Sequence, residues 1–304
     1  MDVRTYLEQQ QVHPQLIRAV EEFRNQYPVE EKVKYRVSDP MMPFYGTEIL
    51  EMGIAALLQK ENLLLSGSKA TGKNVLAENL AWIFQRPTYN ISFHVNTGSG
   101  DLIGTDTFED NQVKLRKGSI YQCAEYGGFG ILDEINMAKN DAVSVLHATL
   151  DYRRSIDVPG YDKIELHPAA RFIGTMNYGY AGTKELNEAL VSRFLVIQMP
   201  DQTKKPWKKI FTTSFPEGKP EAIEQFIGLF LDLQKKAENG EISTKALDLR
   251  GILASLRAIR QGLKPSLAVR MGVINKCFDG FEKEIVEDVV MTRIPEEWTA
   301  AQVF

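Results

Sequence analysis

The sequence predicts an α/β fold, a parallel sheet covered by helices, followed by an all-helical lobe. Three observations predict it. Short apolar runs alternate with helical stretches through the first two thirds of the chain, the signature of a parallel sheet with helices on both faces. The first of these runs feeds a glycine-containing turn that opens a helix. Beyond Pro200 the strand signals stop.

Taken in order, Tyr6 to Tyr27 carries Leu16, Ile17, Val20 and Phe23 at helical spacing among charges, which predicts one amphipathic helix. Ser38 to Phe44 is punctuated by prolines like a connecting loop. Thr47 reads as the N-cap of a helix through Ile49, Ile54, Ala55 and Leu58. Strands are expected at Leu63–Leu65, Tyr89–Phe93, Phe129–Leu132, Arg171–Thr175 and Leu195–Gln198. Helices are expected at Val75–Phe84, Asp141–Leu150 and Glu185–Arg193. Gly100–Gly118 breaks the rhythm, mixing a short apolar stretch with turn residues. Arg154–Leu166 reads as a hairpin, with Ile156 and Val158 before a Pro-Gly turn and Ile164 and Leu166 after it. Ile223–Gln234, Leu247–Gln261, Leu267–Phe278 and Ile285–Met291 complete a helical lobe, with the boundary at Pro200–Pro206. The expected organisation is a 1–44 helical extension, a 45–202 α/β core and a 203–304 helical lobe.

Composition narrows the class. The chain of 304 residues is 43% hydrophobic and 25% charged, the profile of a globular protein with ample core formers. Apolar runs such as Gly53–Leu58 are far shorter than the roughly 20 residues a bilayer requires. The start, Met1-Asp2-Val3-Arg4, has an acid and no apolar segment after it, so no secretory signal is expected. Cys123 and Cys277 cannot make a disulfide framework and have no metal-ligand spacing. A reducing cytoplasm is the simplest home. A net charge of −4 argues against a nucleic-acid-coating surface.

The chemistry concentrates at the ends of the expected strands. Gly67-Ser68-Lys69-Ala70-Thr71-Gly72-Lys73-Asn74 lies between a strand and a helix, the context of a phosphate-binding loop. Its glycines let successive N–H groups face phosphate oxygens, the helix N-terminus adds its positive dipole end, and Lys73 reaches the β- and γ-phosphates. Candidate nucleotide contacts thus run from Gly67 through Val75. One departure stands out. Asn74 occupies the place of the usual Ser or Thr whose hydroxyl holds Mg²⁺, although an amide oxygen also ligates that ion. Gly128 to Glu134 is an apolar strand ending in two acids, and acids at the carboxyl end of a parallel strand face the ligand crevice. Asp133 is the candidate Mg²⁺ ligand with Asn74, and Glu134 the candidate that polarises water; a solvated acidic turn is the plainer alternative. Phe172 to Asn177 ends another strand, where Asn177 is a candidate to orient water or sense the γ-phosphate. Arg193 closes a helix before the last strand. It is either a helix-dipole partner or a transition-state arginine, often supplied by a neighbouring subunit. Arg250, near a helix start in the lobe, is a candidate nucleotide sensor or an ordinary surface arginine.

With these motifs in order, the chain resembles the MoxR-type AAA+ ATPases, near the branch with CbbQ, NorQ and GvpN. The resemblance covers about Tyr45 to Arg260. It rests on Gly67–Asn74, Asp101–Gly104, Leu132–Asn136, Leu150–Arg154, His167 through Asn177, and Ser192-Arg193-Phe194. It implies a five-stranded parallel core with a helical lid, and ATP with Mg²⁺ bound at subunit boundaries of a homo-oligomeric, usually hexameric, ring. It implies that Gly100–Gly118 interrupts the second helix and that both hairpins face the pore or a client. It also implies that Arg193 is a trans-acting finger and Arg250 a lid-side sensor. Relatives remodel protein clients, often with a von Willebrand factor A domain partner.

The expected function is therefore an ATPase that remodels or matures a protein partner. The alternatives are a McrB-like motor acting on nucleic acid and a nucleotide-binding scaffold with little hydrolysis. A small-molecule P-loop kinase is a further rival, opposed by the run of Asp133-Glu134, Asn177 and Arg193.

Overall fold

The computed structural model describes residues 2–158, 160–177, 185–200 and 204–304, without the side chains of 204–206. The chain divides into two units, Met1–Pro200 and Asp201–Phe304. Within the expected boundary segment, residues 201–203 lie outside the described set. So do Pro159 of the hairpin turn and Tyr178 and Gly179 after Asn177.

The first unit opens with α1 (Val3–Gln9), α2 (Pro14–Gln26) and α3 (Thr47–Leu58). The single helix expected over Tyr6–Tyr27 is thus two. Pro14 has no N–H to donate and its ring blocks a preceding turn, so it starts α2 at the first helical position, and Gln11 turns the chain at φ 58°. Thr47 is not a cap either. Gly46 takes that place, and the Thr47 hydroxyl donates to the Gln10 carbonyl at 2.7 Å.

The sheet strands are β1 (Asn62–Gly67), β2 (Thr88–Ser92), β5 (Phe129–Asp133), β8 (Arg171–Asn177) and β9 (Phe194–Gln198), all parallel, in the order β2-β5-β8-β1-β9. Strand alternation sends neighbouring side chains to opposite faces. Leu63, Leu65, Ile131 and Ile173 join α1, α2, α3 and α4 (Lys73–Ile83) in one core. Leu64, Leu132 and Phe172 join the other, with α5 (Ser99–Ile103), α6 (Ser119–Tyr126), α7 (Asn140–Thr149) and α8 (Glu188–Val191). Burial on both faces explains why these strands read as unbroken apolar runs.

Between α5 and α6 the Gly100–Gly118 segment forms an antiparallel hairpin, β3 (Gly104–Glu109) and β4 (Gln112–Lys117). Its two-residue turn, Asp110-Asn111, has φ of 51° and 63°, the left-handed pair that matches strand twist. The second hairpin pairs β6 (Ser155–Ile156) with β7 (Ile164–Glu165). The Tyr161 hydroxyl donates to Asp106 Oδ1 at 2.7 Å, joining the two hairpins. The helix expected over Glu185–Arg193 is only the four residues of α8, because Asn187 accepts from the Ala189 N–H at 2.8 Å and starts it late.

The second unit contains α9 (Lys204–Ser214), α10 (Pro220–Glu238), α11 (Leu249–Arg260), α12 (Pro265–Gly272), α13 (Gly280–Arg293) and α14 (Ala300–Val303). The helix expected through Leu267–Phe278 stops at Gly272 and resumes as a single 3₁₀ turn, Ile274–Lys276. Gly272 and Gly251 meet where α12 crosses α11, so closely that a Cβ on Gly251 would lie 2.1 Å from the Gly272 carbonyl oxygen. No helix among the described residues is long and apolar enough to cross a membrane.

Candidate functional site

The loop after β1 holds most of the candidates. Gly67 is the last residue of β1, and Ser68 to Gly72 form the turn. Gly72 adopts φ 86°, a left-handed conformation that favours glycine. A Cβ on Gly67 would approach Met199 Cβ to 3.0 Å, so the loop's first bend requires glycine. Lys73, Asn74 and Val75 form the first turn of α4, whose free N–H groups point into the loop. The Lys73 ammonium is buried and turned back on its own loop. It donates to the carbonyls of Gly67 at 3.0 Å and Ser68 at 2.6 Å, and to Thr71 Oγ1 at 3.3 Å. Burial pushes its pKa down to about 8, against the opposing pull of the Asp133 carboxylate.

Parallel register brings the strand ends together. Asn177 stands opposite Gly67, and Asp133 opposite Ser92. Lys73, Asp133 and Asn177 therefore gather at the carboxyl end of the sheet. Asp133 Oδ1 accepts a 2.6 Å hydrogen bond from the Thr175 hydroxyl. Glu134 follows in a left-handed conformation (φ 54°, ψ 44°), with an exposed side chain and its N–H donating to Thr175 Oγ1 at 3.3 Å. Buried Asn136 donates to the Asn177 carbonyl at a long 3.5 Å.

Arg193 is elsewhere. It precedes Phe194, which pairs with Asn62 at the amino end of the sheet. Five strand residues separate that level from Gly67, about 16 Å at roughly 3.3 Å each. Its guanidinium donates to the Ala189 carbonyl at 2.5 Å and to Asp151 Oδ2 at 3.3 Å, while Nε is buried with no partner among the described residues. Arg153 and Arg193 together hold the Asp151 carboxyl below its usual range. Asn62 Nδ2 donates to the carbonyls of Leu150 at 3.0 Å and Arg193 at 3.1 Å. Arg250 belongs to the second unit, at the second residue of α11. Its N–H donates at 3.0 Å to the capping Asp248, which is ion-paired with Lys276.

Thr175, Asp151 and Asn62 are the contributors that sequence reasoning missed. Thr175 reads as an ordinary strand residue. Its one signal is its place two residues before the strand-ending Asn177, level with Asp133 when the first residues of the two strands, Phe129 and Arg171, are aligned.

The residues fit a nucleotide and its metal: a glycine-bent loop, a buried ammonium held by replaceable loop acceptors, and a carboxylate already fixed by a hydroxyl. Among the described residues no cluster of three His, Cys, Asp or Glu could hold a metal ion.

A family model for the AAA domain of the dynein-related subfamily matches residues 62–194. The uncharacterized protein YojN of Bacillus subtilis (strain 168) is 30% identical over 249 residues, which span 80% of this chain and 82% of that one. An uncharacterized protein of Staphylococcus aureus (strain NCTC 8325 / PS 47) is 30% identical over 236 residues, 76% of this chain and 89% of its own. Among solved structures, a Thermotoga maritima RuvB mutant is similar at 17% identity with a TM-score of 0.49, covering 82% of this chain and 71% of that chain.

Proposed function

The chain belongs to the AAA+ ATPases, in their dynein-related subfamily, and from that premise we propose that it hydrolyses ATP in a ring and uses the cycle to remodel a protein partner, as MoxR-type relatives do. The observation that carries this reading is the arrangement of the charged groups. Lys73, Asp133 and Asn177 meet at one end of the sheet, and Arg193 stands at the other. A chain so built has its own phosphate site and an arginine suited to a neighbour's.

Each residue then has a task. Loop N–H groups from Gly67 to Gly72, with those of Lys73, Asn74 and Val75, cradle phosphate oxygens. Lys73 exchanges loop carbonyls for phosphate. Asp133 and Asn74 would hold Mg²⁺, which uses few protein ligands beside phosphate oxygens and supplies charge neutralisation when bound. Glu134 takes a proton from the attacking water, and Asn177 orients it. Arg193 neutralises charge across the subunit boundary, and Arg250 is the second unit's residue for which the resemblance implies a sensor role.

The client-facing reading draws on the first hairpin. Phe108 and Val113 are directly paired across it and are 71% and 62% exposed, an apolar pair with no core to fill. A von Willebrand factor A protein is the client class the MoxR resemblance favours. A nucleotide-gated scaffold with slow turnover is the second reading, favoured by Asn74.

Glu134→Gln tests the assignment. It should bind ATP as the wild type does and lose turnover by about 10²–10⁴, the contribution of a positioned base. Turnover equal to wild type removes Glu134 from that role, and a wild type that binds but does not turn over favours the scaffold.

A further inference from the structure

We propose that Thr175 is a positioning residue that sets both acids of the site, fixing Asp133 for its metal and Glu134 for its water. The inference rests on the ATPase reading above and deepens it.

The Thr175 side chain is 1% exposed and faces Asp133 across neighbouring strands. Its single hydroxyl proton goes to Asp133 Oδ1 at 2.6 Å, and its oxygen accepts the Glu134 N–H at 3.3 Å. A hydroxyl has one proton to give and two lone pairs to accept with, so the one group serves both acids in opposite senses. The bond to Asp133 is short, as charge-assisted O–H···O⁻ bonds are. It fixes the carboxylate's rotation and leaves Oδ2 for a cation. The bond from Glu134 lies at a non-glycine residue in the left-handed region, a conformation that persists only when surrounding contacts determine it. Thr175 supplies one of those contacts.

Two features separate this from ordinary strand packing. Valine has nearly the same shape and an equal liking for strands, so packing alone does not call for a hydroxyl at this buried position. The phosphate loop, moreover, has Asn74 where a hydroxyl usually stands beside the metal and the acid. In this chain the hydroxyl that meets Asp133 comes from β8 instead. The same strand ends two residues later in Asn177, so Thr175 ties the acid pair to the strand that carries the water-orienting amide.

The test compares Thr175→Val and Thr175→Ser in the full chain, with a fluorescent ATP analogue as the probe. In EDTA, Thr175→Val should bind the analogue as tightly as wild type. Its half-maximal Mg²⁺ concentration for enhanced binding should rise by about 10-fold, within the 10–100-fold that groups behind a metal ligand usually contribute. Its kcat should fall by a similar factor with KM for ATP little changed. Thr175→Ser keeps the hydroxyl and should stay within about threefold of wild type on every measure. Should Thr175→Val not fold, Thr175→Cys carries the same comparison, because it keeps the volume and offers only a weak S–H donor. Wild-type Mg²⁺ dependence in the valine or cysteine variant overturns the proposal. So does a serine variant as impaired as the valine one, since packing would then be the cause. A wild-type chain that binds no analogue removes the ATPase reading and the Thr175 role together, and that outcome is read on the wild type alone.

Discussion

Lys73 places an ammonium among carbonyls and one hydroxyl, with no carboxylate in hydrogen-bond contact among the described residues. Its pKa falls from the ordinary 10.5 to about 8, and the sign of the consequence follows. Between those values the folded chain holds fewer protons at this site than the unfolded chain. The cost of burying the charged form is therefore present below pH 8 and relieved as pH rises. Nucleotide reverses this, because phosphate favours the ammonium. ATP binding at pH 8.5 should take up protons, measurable by calorimetry in buffers of differing ionisation enthalpy. Affinity should fall by up to about tenfold per pH unit above pH 8; an affinity flat from pH 7.5 to 9.5 would show the ammonium is not titrating there. At this scale, groups that stand at strand ends were legible in the sequence. The glycine-bent loop, Asp133-Glu134 and Asn177 each punctuate an apolar run, so order along the chain locates them. Thr175, Asp151 and Asn62 were not legible. Their partners lie 42, 42 and 131 residues away, and only the tertiary fold brings them together.

Among the elements, β1, β5 and β8 were legible because burial on both faces makes each one an apolar run, and the edge strands β2 and β9 by their place in the alternation with helices. Helix ends were harder to place. Pro14, Asn187 and Gly272 each overrode a periodic pattern that continues past them, through a missing donor, a side-chain cap and a glycine crossing. The first of these breaks has energetic weight. α1, α2 and the turn between them bury Val3, Tyr6, Leu7, Val12, Ile17, Val20 and Phe23 in the same core as β1 and α4, so the first 27 residues are part of the unit. Seven such side chains at about 1.5 kcal/mol each represent on the order of 10 kcal/mol, comparable with the whole stability of a typical domain. Deleting residues 1–27 should leave the first unit unable to fold cooperatively, as seen by loss of a sigmoidal urea transition. A truncated chain with a wild-type midpoint would mean that the segment is an appendage. Tyr6→Phe is the finer probe. It removes a buried hydroxyl that donates to the Phe44 carbonyl at 2.5 Å and should cost about 1–3 kcal/mol in the same denaturation experiment.

At the scale of the molecule and its assembly, the distance between Lys73 and Arg193 governs what a lone chain can do. On the proposed shared-site reading a monomer would have a phosphate site without its arginine, so specific activity should rise with protein concentration, and ATP should favour assembly by binding where chains meet. Arg193→Ala should bind ATP without hydrolysing it, whereas Lys73→Ala should leave its pocket empty and its arginine intact. Mixed together, the two should regain part of the activity that neither has alone, because some boundaries then join a filled pocket to a sound arginine. An Arg193→Ala protein at full activity, or a strict monomer with constant specific activity, would end the shared-site reading. The pair of hydrogen bonds that the Asn62 amide donates, to the carbonyls of Leu150 and Arg193, gives that boundary a mechanical character. β1 ends in the phosphate loop at Gly67 and begins at the side chain that grips the Arg193 carbonyl. On the shared-site reading, a strand of this kind, paired on both sides by β8 and β9, would act as a pushrod: the end that meets the chain's own nucleotide and the end that presents the arginine would travel together. If chains assemble in a ring as proposed, filling one pocket would set the reach of the arginine offered to the next, and occupancy would pass around the ring as displacement without a hinge.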